Sequence, residues 1–503
     1  MNSNDPFETY EVCVDAVNGE ILRLTNTNRY INHTGTASTR YSGTRNIITT
    51  RLNPTTGNYI LHDQSRGGGV RVYDGKFAED VATGGNFEDA DNVWTDTTRV
   101  NQPATDALWA GEMCYDYFKA VHGWNSYTGN DRLIRIFTNW KSNTWTNAFF
   151  SAGRDIFAFG IGNMANNTGP YSTLDVVGHE FGHGVVEYSV ASGAGIPSYR
   201  NEPGAIDEAF ADIWGTCVEF WARPEKSNWL HAEDNHFAPP YYGRSASNPK
   251  SVAQPQPTTY LQDTNQTFNW KWARGYFDYV LGNPNWDRGG VHHNNSIGVH
   301  WFYLLTVGKS GTNDKGKKYT VNGVGLPLAE KVAYRAMQYH LGSAPQWADL
   351  RAATIEAAKE LSTTPKALDP CANLVRQVIN AWYAVGVGDP LLMFEDVVLT
   401  KSMCDDSTGT AEAKVKGVTG TPKYEWSNGD TTALADSLWA ADWTVTVTDT
   451  STGCTIDTTI TIEEDVNFRM DIAKKDPTEC KKSDGWAEVR LTDINGTPQI
   501  MWS

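Results

Sequence analysis

Long hydrophobic runs are missing from this chain of 503 residues. No stretch of about 18 consecutive apolar residues occurs, which excludes a helical membrane span. Basic clusters are missing as well. The 42 lysines and arginines are scattered among 59 acidic residues, for a net charge of −17, so nucleic acid is excluded as a partner. Cysteine is sparse: seven residues, widely spaced, with no C-x-x-C pair, which argues against a cysteine-built zinc site. Cys114 and Cys217 fall in helical text and are expected as buried thiols. The opening Met1-Asn2-Ser3-Asn4-Asp5 lacks the makeup of a signal peptide, so an export signal is expected upstream or already removed. What is abundant points outward. An acidic surface suits a secreted protein and attracts calcium, and 19 tryptophans with 22 tyrosines suit a rigid extracellular one. A chain of this length is expected to form three or more units.

One stretch carries obvious chemistry: Val176-Val177-Gly178-His179-Glu180-Phe181-Gly182-His183-Gly184. Two histidines four residues apart lie on one face of a helix, so both rings can reach one metal ion. Glu180 is placed to act on a water at that ion. Val176, Val177, Val185 and Val186 make the helix apolar, and buried polar side chains need partners. A third ligand is expected at Glu208, in Gly204-Ala205-Ile206-Asp207-Glu208-Ala209-Phe210-Ala211-Asp212. Two imidazoles and one carboxylate leave a fourth position open, the arrangement of a catalytic zinc. Asp207 and Asp212 are candidates to accept N–H bonds from the two ligand histidines.

With these two motifs, Asn147-Ala148-Phe149 and Gly289-Gly290-Val291-His292, the chain resembles the thermolysin-like (M4) zinc metallopeptidases, also called bacillolysins or neutral proteases. The resemblance runs from about Gly35 to Gly388. It implies an α+β fold of two lobes, a β-rich N-terminal lobe (34–188) and a helical C-terminal lobe (189–388), with the His179 helix on the floor of the cleft between them. It also implies that the Asn147 side chain and the Ala148 carbonyl hold the substrate main chain, on an edge strand to which a peptide adds by backbone pairing. Tyr199, nine residues before Glu208, matches the catalytic tyrosine, although a lone loop tyrosine could simply pack. Arg244 matches an arginine that binds a substrate carbonyl beside the leaving-group pocket. His231 and Gly243 sit roughly where the family has apolar pocket residues, so the pocket differs in shape, and a large apolar side chain is still the expected preference. His292, rather than His293, matches the histidine facing the reaction intermediate, with Asp287 orienting it and raising its pKa. Asp175, Glu219, Asn228 and Glu233 form an oxygen-rich set that suits calcium. Asn228 and Leu230 stand where acids are usual, which argues for a single calcium, with the Leu230 carbonyl as a further ligand.

The remaining text is read from pattern. Residues 7 to 30 read as a hairpin about a two-residue Asn18-Gly19 turn; it resembles the last hairpin of the family's inhibitory propeptide, which implies a remnant (1–33), and the alternative is an N-terminal strand pair of the catalytic domain. Residues 35 to 100 read as antiparallel sheet, and 104 to 123 as an amphipathic helix. Residues 133–137 and 155–160 read as strands, and 326 to 386 as helical core. His300, among Trp301, Phe302 and Leu304, is expected to be core.

Beyond Gly388 the composition turns to Thr, Asp and Val with period two, as in Trp443-Thr444-Val445-Thr446-Val447-Thr448-Asp449. An internal repeat is present. Cys404-Asp405-Asp406-Ser407-Thr408-Gly409 matches Cys480-Lys481-Lys482-Ser483-Asp484-Gly485, and Trp426-Ser427 matches Trp502-Ser503, each offset by 76 (480 − 404 and 502 − 426). Residues 389–465 resemble the SprB-type β-sandwich repeat of bacterial surface adhesins, and 466–503 read as a partial second copy. Cys404 and Cys454 could be bridged in an oxidising compartment.

These readings together describe a secreted zinc metalloendopeptidase acting on peptides or proteins, with one catalytic zinc and at least one structural calcium. The repeats imply attachment to a cell surface or matrix. Two other readings are open. One is a surface adhesin whose peptidase domain is inert. The other is a zymogen kept latent by an upstream propeptide.

Overall fold

The computed structural model describes residues 10–26, 32–52, 57–239, 241–252, 256–260, 287–362, 373–403, 406–418, 420–451, 453–465, 469–492 and 497–502. The chain separates into two compact units, 1–388 and 389–503.

In the first unit, Tyr10–Val14 and Ile21–Asn26 pair antiparallel as the expected hairpin. Its bend is wider than a two-residue turn. Asp15 accepts from the Val17 and Asn18 amides at 2.7 and 3.3 Å, and Asn18 accepts from Glu20 at 2.9 Å. These short side chains build a local turn of their own. The strand Asn32–Ser38 follows, so the boundary expected between 33 and 34 falls inside a strand.

Two mixed sheets form the β-rich lobe. One runs Val93–Trp94, Asn32–Ser38, Thr44–Arg51, Tyr59–Ile60, Glu88–Asp89. The other runs Ala148–Ser151, Ile156–Phe159, Ile134–Thr138, Val70–Asp74, His62–Asp63. The text between 35 and 100 is therefore not purely antiparallel. Val93–Trp94 lies parallel to Asn32–Ser38, and Val70–Asp74 lies parallel to Ile134–Thr138. Helix α1 (Gln102–Tyr117) spans that connection and packs on the second sheet. Ile134, Ile136, Ile156 and Phe159 are buried, as in a sheet covered by helices. Ala148–Ser151 pairs with Ile156–Phe159 alone among the described residues, and so forms an edge.

Helices α2 (Leu174–Ser189) and α3 (Asn201–Ala222) cross through the middle of this unit. Then come α4 (Asp287–Asn294), α5 (Ser296–Val307), α6 (Leu326–Arg335), α7 (Trp347–Leu361) and α8 (Asn373–Ala384). Trp301, Trp347 and Trp382 are buried among them, with Trp301 stacked on Trp382 at 4.7 Å. His300 is core, as expected, its Nδ1 donating to the Ala246 carbonyl at 2.7 Å.

Among the described residues, the regular elements of the second unit are strands. One sheet joins Met393–Thr400, Gly409–Lys416 and Leu434–Leu438; another joins Pro422–Trp426, Asp442–Asp449 and Thr455–Thr461. Trp443, Val445 and Val447 alternate into a core with Trp426, Leu438 and Ile462. Arg469–Lys475 and Trp486–Thr492 form a further hairpin. Cys454 is buried and disulfide-bonded. Cys404 lies outside the described residues. Cys114 and Cys217 are buried free thiols.

Candidate active site

The apolar α2 sits so close to α3 because glycine lines the contact. A Cβ on Gly178 would meet the Gly215 Cα at 2.9 Å, and one on Gly215 would meet the Asp175 carbonyl at 2.4 Å. That closeness delivers Glu208 from α3 to the two imidazoles of α2. The His179 and His183 Nε2 atoms are 3.1 Å apart. Glu208 Oε2 lies 3.5 Å from the first and Oε1 lies 3.4 Å from the second.

Each ring is held from behind. His179 Nδ1 donates to Asp212 at 2.7 Å, and His183 Nδ1 donates to Asp207 at 2.8 Å. With the proton fixed on Nδ1, each Nε2 presents a lone pair to the centre. Burial also pushes His179 down to about 4, toward the neutral ring a metal needs. Glu208 is held well below its usual range, His292 and His183 outweighing the cost of its burial. Its Oε2 is buried with no hydrogen-bond partner. Two imidazole nitrogens and an orphaned carboxylate oxygen converging on one point fit a zinc ion with an open position.

Glu180 points into the same space, within 4.8 Å of both histidines. Burial pushes its carboxyl up to about 7, and the Phe150 backbone donates to it. Phe150 belongs to the edge strand, and Asn147 and Ala148 line the same cleft of about 940 Å³. On the opposite wall, the Tyr199 hydroxyl donates to Glu208 and lies 3.3 Å from His292 Nε2. His292 is half-exposed to the cleft, while His293 is buried away from it. Asp287 accepts from His292 twice, from Nδ1 at 2.6 Å and from the backbone amide at 2.9 Å. Desolvation opposes a charge on His292, but Glu208 and Asp287 raise it to about 10. Four successive left-handed residues, Asp287 to Gly290, make this turn possible.

Arg244 lines the cleft, but its guanidinium grips Asp212 with Nε and Nη2 at 2.7 and 2.6 Å. Sequence reasoning missed two further partners here. Asn295 donates to Asp212 at 2.7 Å, and Arg288 lies over the Tyr199 ring at 4.9 Å. The sequence alone carried no signal for Asn295, whose complete burial beside the histidine pair emerges only in the fold. Beyond Arg244, a recess of about 570 Å³ opens, lined by Asn166, Asn167, His236, Gly243, Val252 and Gln256 among others.

The oxygen-rich set also gathers. Asp175 Oδ1, Glu219 Oε2 and Glu233 Oε2 are all buried without hydrogen-bond partners. Burial first, then Asp175 and its neighbours, push Glu219 to about 8 and Glu233 to about 7. Three mutually repelling carboxylates with unused oxygens fit a hard cation such as calcium. Asn228 is engaged within its own loop, donating to Glu233 at 2.8 Å and accepting from Leu230 at 2.7 Å. Arg223, also missed, is buried and pairs with Glu219 and with Asp234, the latter at 2.8 Å.

The thermolysin metallopeptidase catalytic-domain model matches residues 34–187, and the thermolysin metallopeptidase alpha-helical-domain model matches residues 197–387. The chain belongs to the thermolysin metallopeptidase family. Among thermolysin-family relatives, it is 34% identical over 347 residues to the thermostable neutral protease NprT of Geobacillus stearothermophilus. It is 33% identical over 347 residues to thermolysin of Alicyclobacillus acidocaldarius, and each alignment covers 67% of this chain and 55% of that relative. It is 28% identical to the transglutaminase-activating metalloprotease of Streptomyces mobaraensis, over 70% of this chain and 42% of that one. The chain thus spans about half the length of these relatives. Thermolysin-family membership implies a catalytic zinc and structural calcium, and the two donor sets described above fit those ions. Among the described residues, no helix is long and apolar enough to cross a membrane.

Proposed function

We propose that this chain is a secreted zinc metalloendopeptidase that hydrolyses internal peptide bonds. The observation that carries the reading is the convergence of His179, His183 and Glu208 on one point, with Glu180 beside it and the cleft open to it. Zinc, when bound by those three residues, acidifies a water and polarises the scissile carbonyl. Glu180 takes the proton of the attacking water and passes it to the amine as the C–N bond breaks. Its raised pKa suits a group that must both accept and release that proton near neutrality. Tyr199 and His292 donate hydrogen bonds to the oxyanion that develops on the carbonyl oxygen. Asn147 and Ala148 hold the peptide main chain along the edge strand by β-addition, and Arg244 takes a carbonyl on the leaving-group side. Asp207, Asp212 and Asp287 orient His183, His179 and His292 respectively.

Calcium is held by Asp175, Glu219 and Glu233, with Asn228 and the Leu230 carbonyl nearby. Residues 1–33 are the end of a propeptide, and the peptidase lobes occupy 34–188 and 189–388. Residues 389–465 are an SprB-type repeat, residues 466–503 carry the matching motifs of a second copy, and they attach the enzyme to a surface. The large apolar side chain expected after the scissile bond meets a recess that sets polar groups among Ala238, Pro239, Tyr242 and Val252.

The test is hydrolysis of a quenched peptide library by the parent and by Glu180→Gln, each with its zinc content measured. Hydrolysis by the parent, with about one zinc in both proteins and activity lost in the variant, is expected. A zinc-loaded parent that cleaves nothing sinks the enzymatic reading in favour of an inert, peptide-binding domain.

A further inference from the structure

The recess beyond Arg244 is wide, and its wall sets polar side chains among Ala238, Pro239, Tyr242 and Val252. It holds about 570 Å³ and shares Arg244, Asp287 and His292 with the cleft. Among the described residues, Val252 is the only branched aliphatic side chain in that wall. Gly243 leaves the recess open. A Cβ there would meet nothing closer than the His231 carbonyl at 3.3 Å, then Ala232 Cβ at 3.6 Å and His236 Cε1 at 3.8 Å. A side chain at this position needs a small shift of the His231 carbonyl before it fills the space.

The polar groups around this opening have defined capacities. His236 Nδ1 faces two acceptors, the Ala232 carbonyl at 2.6 Å and Asn235 Oδ1 at 2.8 Å. Nδ1 is therefore a donor, and in that tautomer Nε2 is left as an acceptor. Gln256 donates through Nε2 to the His292 carbonyl at 2.9 Å, which turns its Oε1 into the remaining acceptor. Arg244 uses Nε and Nη2 on Asp212 and keeps Nη1 as a donor. Asn166 and Asn167 add amides at the exposed rim. The wall thus presents acceptors and donors together, and its two basic groups next to the cleft are already paired, Arg244 with Asp212 and His292 with Asp287. An aliphatic side chain seated here would strip water from these groups and return no hydrogen bonds. A carboxylate would face the acceptors of His236 and Gln256. A carboxamide carries two donors and an acceptor on one planar head, and matches both kinds of group.

We propose that this recess selects a carboxamide side chain, glutamine or asparagine, in the residue following the scissile bond. The proposal rests on the endopeptidase reading and on Arg244 marking the leaving-group side.

The experiment compares kcat/KM of the zinc-loaded full chain on isosteric peptide pairs that differ only at that residue, Asn against Leu and Gln against Met. A preference for the amide member of roughly tenfold or more is expected, since one unpaired buried polar group costs about that much. Equal rates, or a preference for Leu and Met, overturn the proposal while leaving the peptidase reading intact. No cleavage of any peptide overturns that reading, and this proposal with it. Gly243→Leu fills the recess and is expected to abolish the amide preference while cleavage continues. An unchanged preference in that variant places the selecting groups elsewhere and overturns the assignment. Should Gly243→Leu fail to fold, the paired rates of the parent still decide.

Discussion

Arg244 and Asp212 form a two-pronged ion pair, Nε to Oδ2 at 2.7 Å and Nη2 to Oδ1 at 2.6 Å. The same carboxylate accepts from His179 at 2.7 Å, so an arginine expected to meet substrate is also tied to a candidate metal ligand. Lysine has no planar fork and cannot reproduce the two parallel bonds. Arg244→Lys is therefore expected to lower kcat/KM and also to speed zinc loss to a chelator. Asp212→Asn should weaken zinc binding or activity by about 10- to 100-fold, the usual cost of losing the partner of a ligand histidine. A lysine variant that keeps zinc and turns over like the parent would show that the fork is incidental.

Tyr199 and His292 stand 3.3 Å apart at one corner of the cleft. Tyr199→Phe and His292→Ala should each reduce kcat roughly 100- to 1000-fold, the range seen when one oxyanion donor is removed. Because both serve the same developing charge, the double variant should lose less than the product of the two effects. Zinc content should stay at the parent level in all three. Strictly multiplicative losses would mean that the two groups act on different steps.

Orphaned oxygens on Asp175, Glu219 and Glu233 predict a stability that depends on calcium. Ligand linkage contributes about 2.7 kcal/mol when free calcium stands a hundredfold above Kd. A calcium-selective chelator should lower the melting temperature of the parent and leave zinc in place. Glu219→Gln with Glu233→Gln removes two of the repelling charges, so this variant should respond much less to the chelator. Equal responses in both proteins would exclude these residues as the calcium site.

Local pattern made much of the site legible. A four-residue histidine spacing on apolar helical text leads directly to α2, while only the family's Gly-Gly-Val-His spacing separates His292 from His293. What stayed hidden depends on contacts between distant segments. The parallel pairing of Val70–Asp74 with Ile134–Thr138 joins strands about 60 residues apart, and nothing in either strand announces its partner. Asn295 was not singled out because its carboxylate partner, Asp212, lies on another helix, and Arg223 because one of its two partners, Asp234, lies outside its own helix. At Asn18-Gly19 a strong turn signal was overridden nearby by the Asp15 side chain, which captures two amides. The edge strand at Ala148 could be named only through family likeness, since an edge is a property of the whole sheet.

Glu112 offers a test of buried charge far from either metal set. It sits 2% exposed on α1, accepts from the Ile48 amide at 2.8 Å and lies 3.8 Å from Arg66. Burial outweighs both attractions and pushes its carboxyl up to about 8. A raised acid pKa means that the folded chain keeps a proton which the unfolded chain releases above about 4.5. Stability from this group is therefore full below about pH 4.5 and is lost as pH rises toward 8, at up to about 1.4 kcal/mol per pH unit. Glu112→Gln keeps an acceptor for Ile48 and cannot ionise. At fixed calcium, urea unfolding of the two proteins between pH 5 and 8, about the window set by those two values, should give a shallower decline for the variant. The gap between them should widen toward alkaline pH in favour of glutamine. Parallel curves would mean that Glu112 is ionised throughout, with Arg66 and the Ile48 amide outweighing its burial.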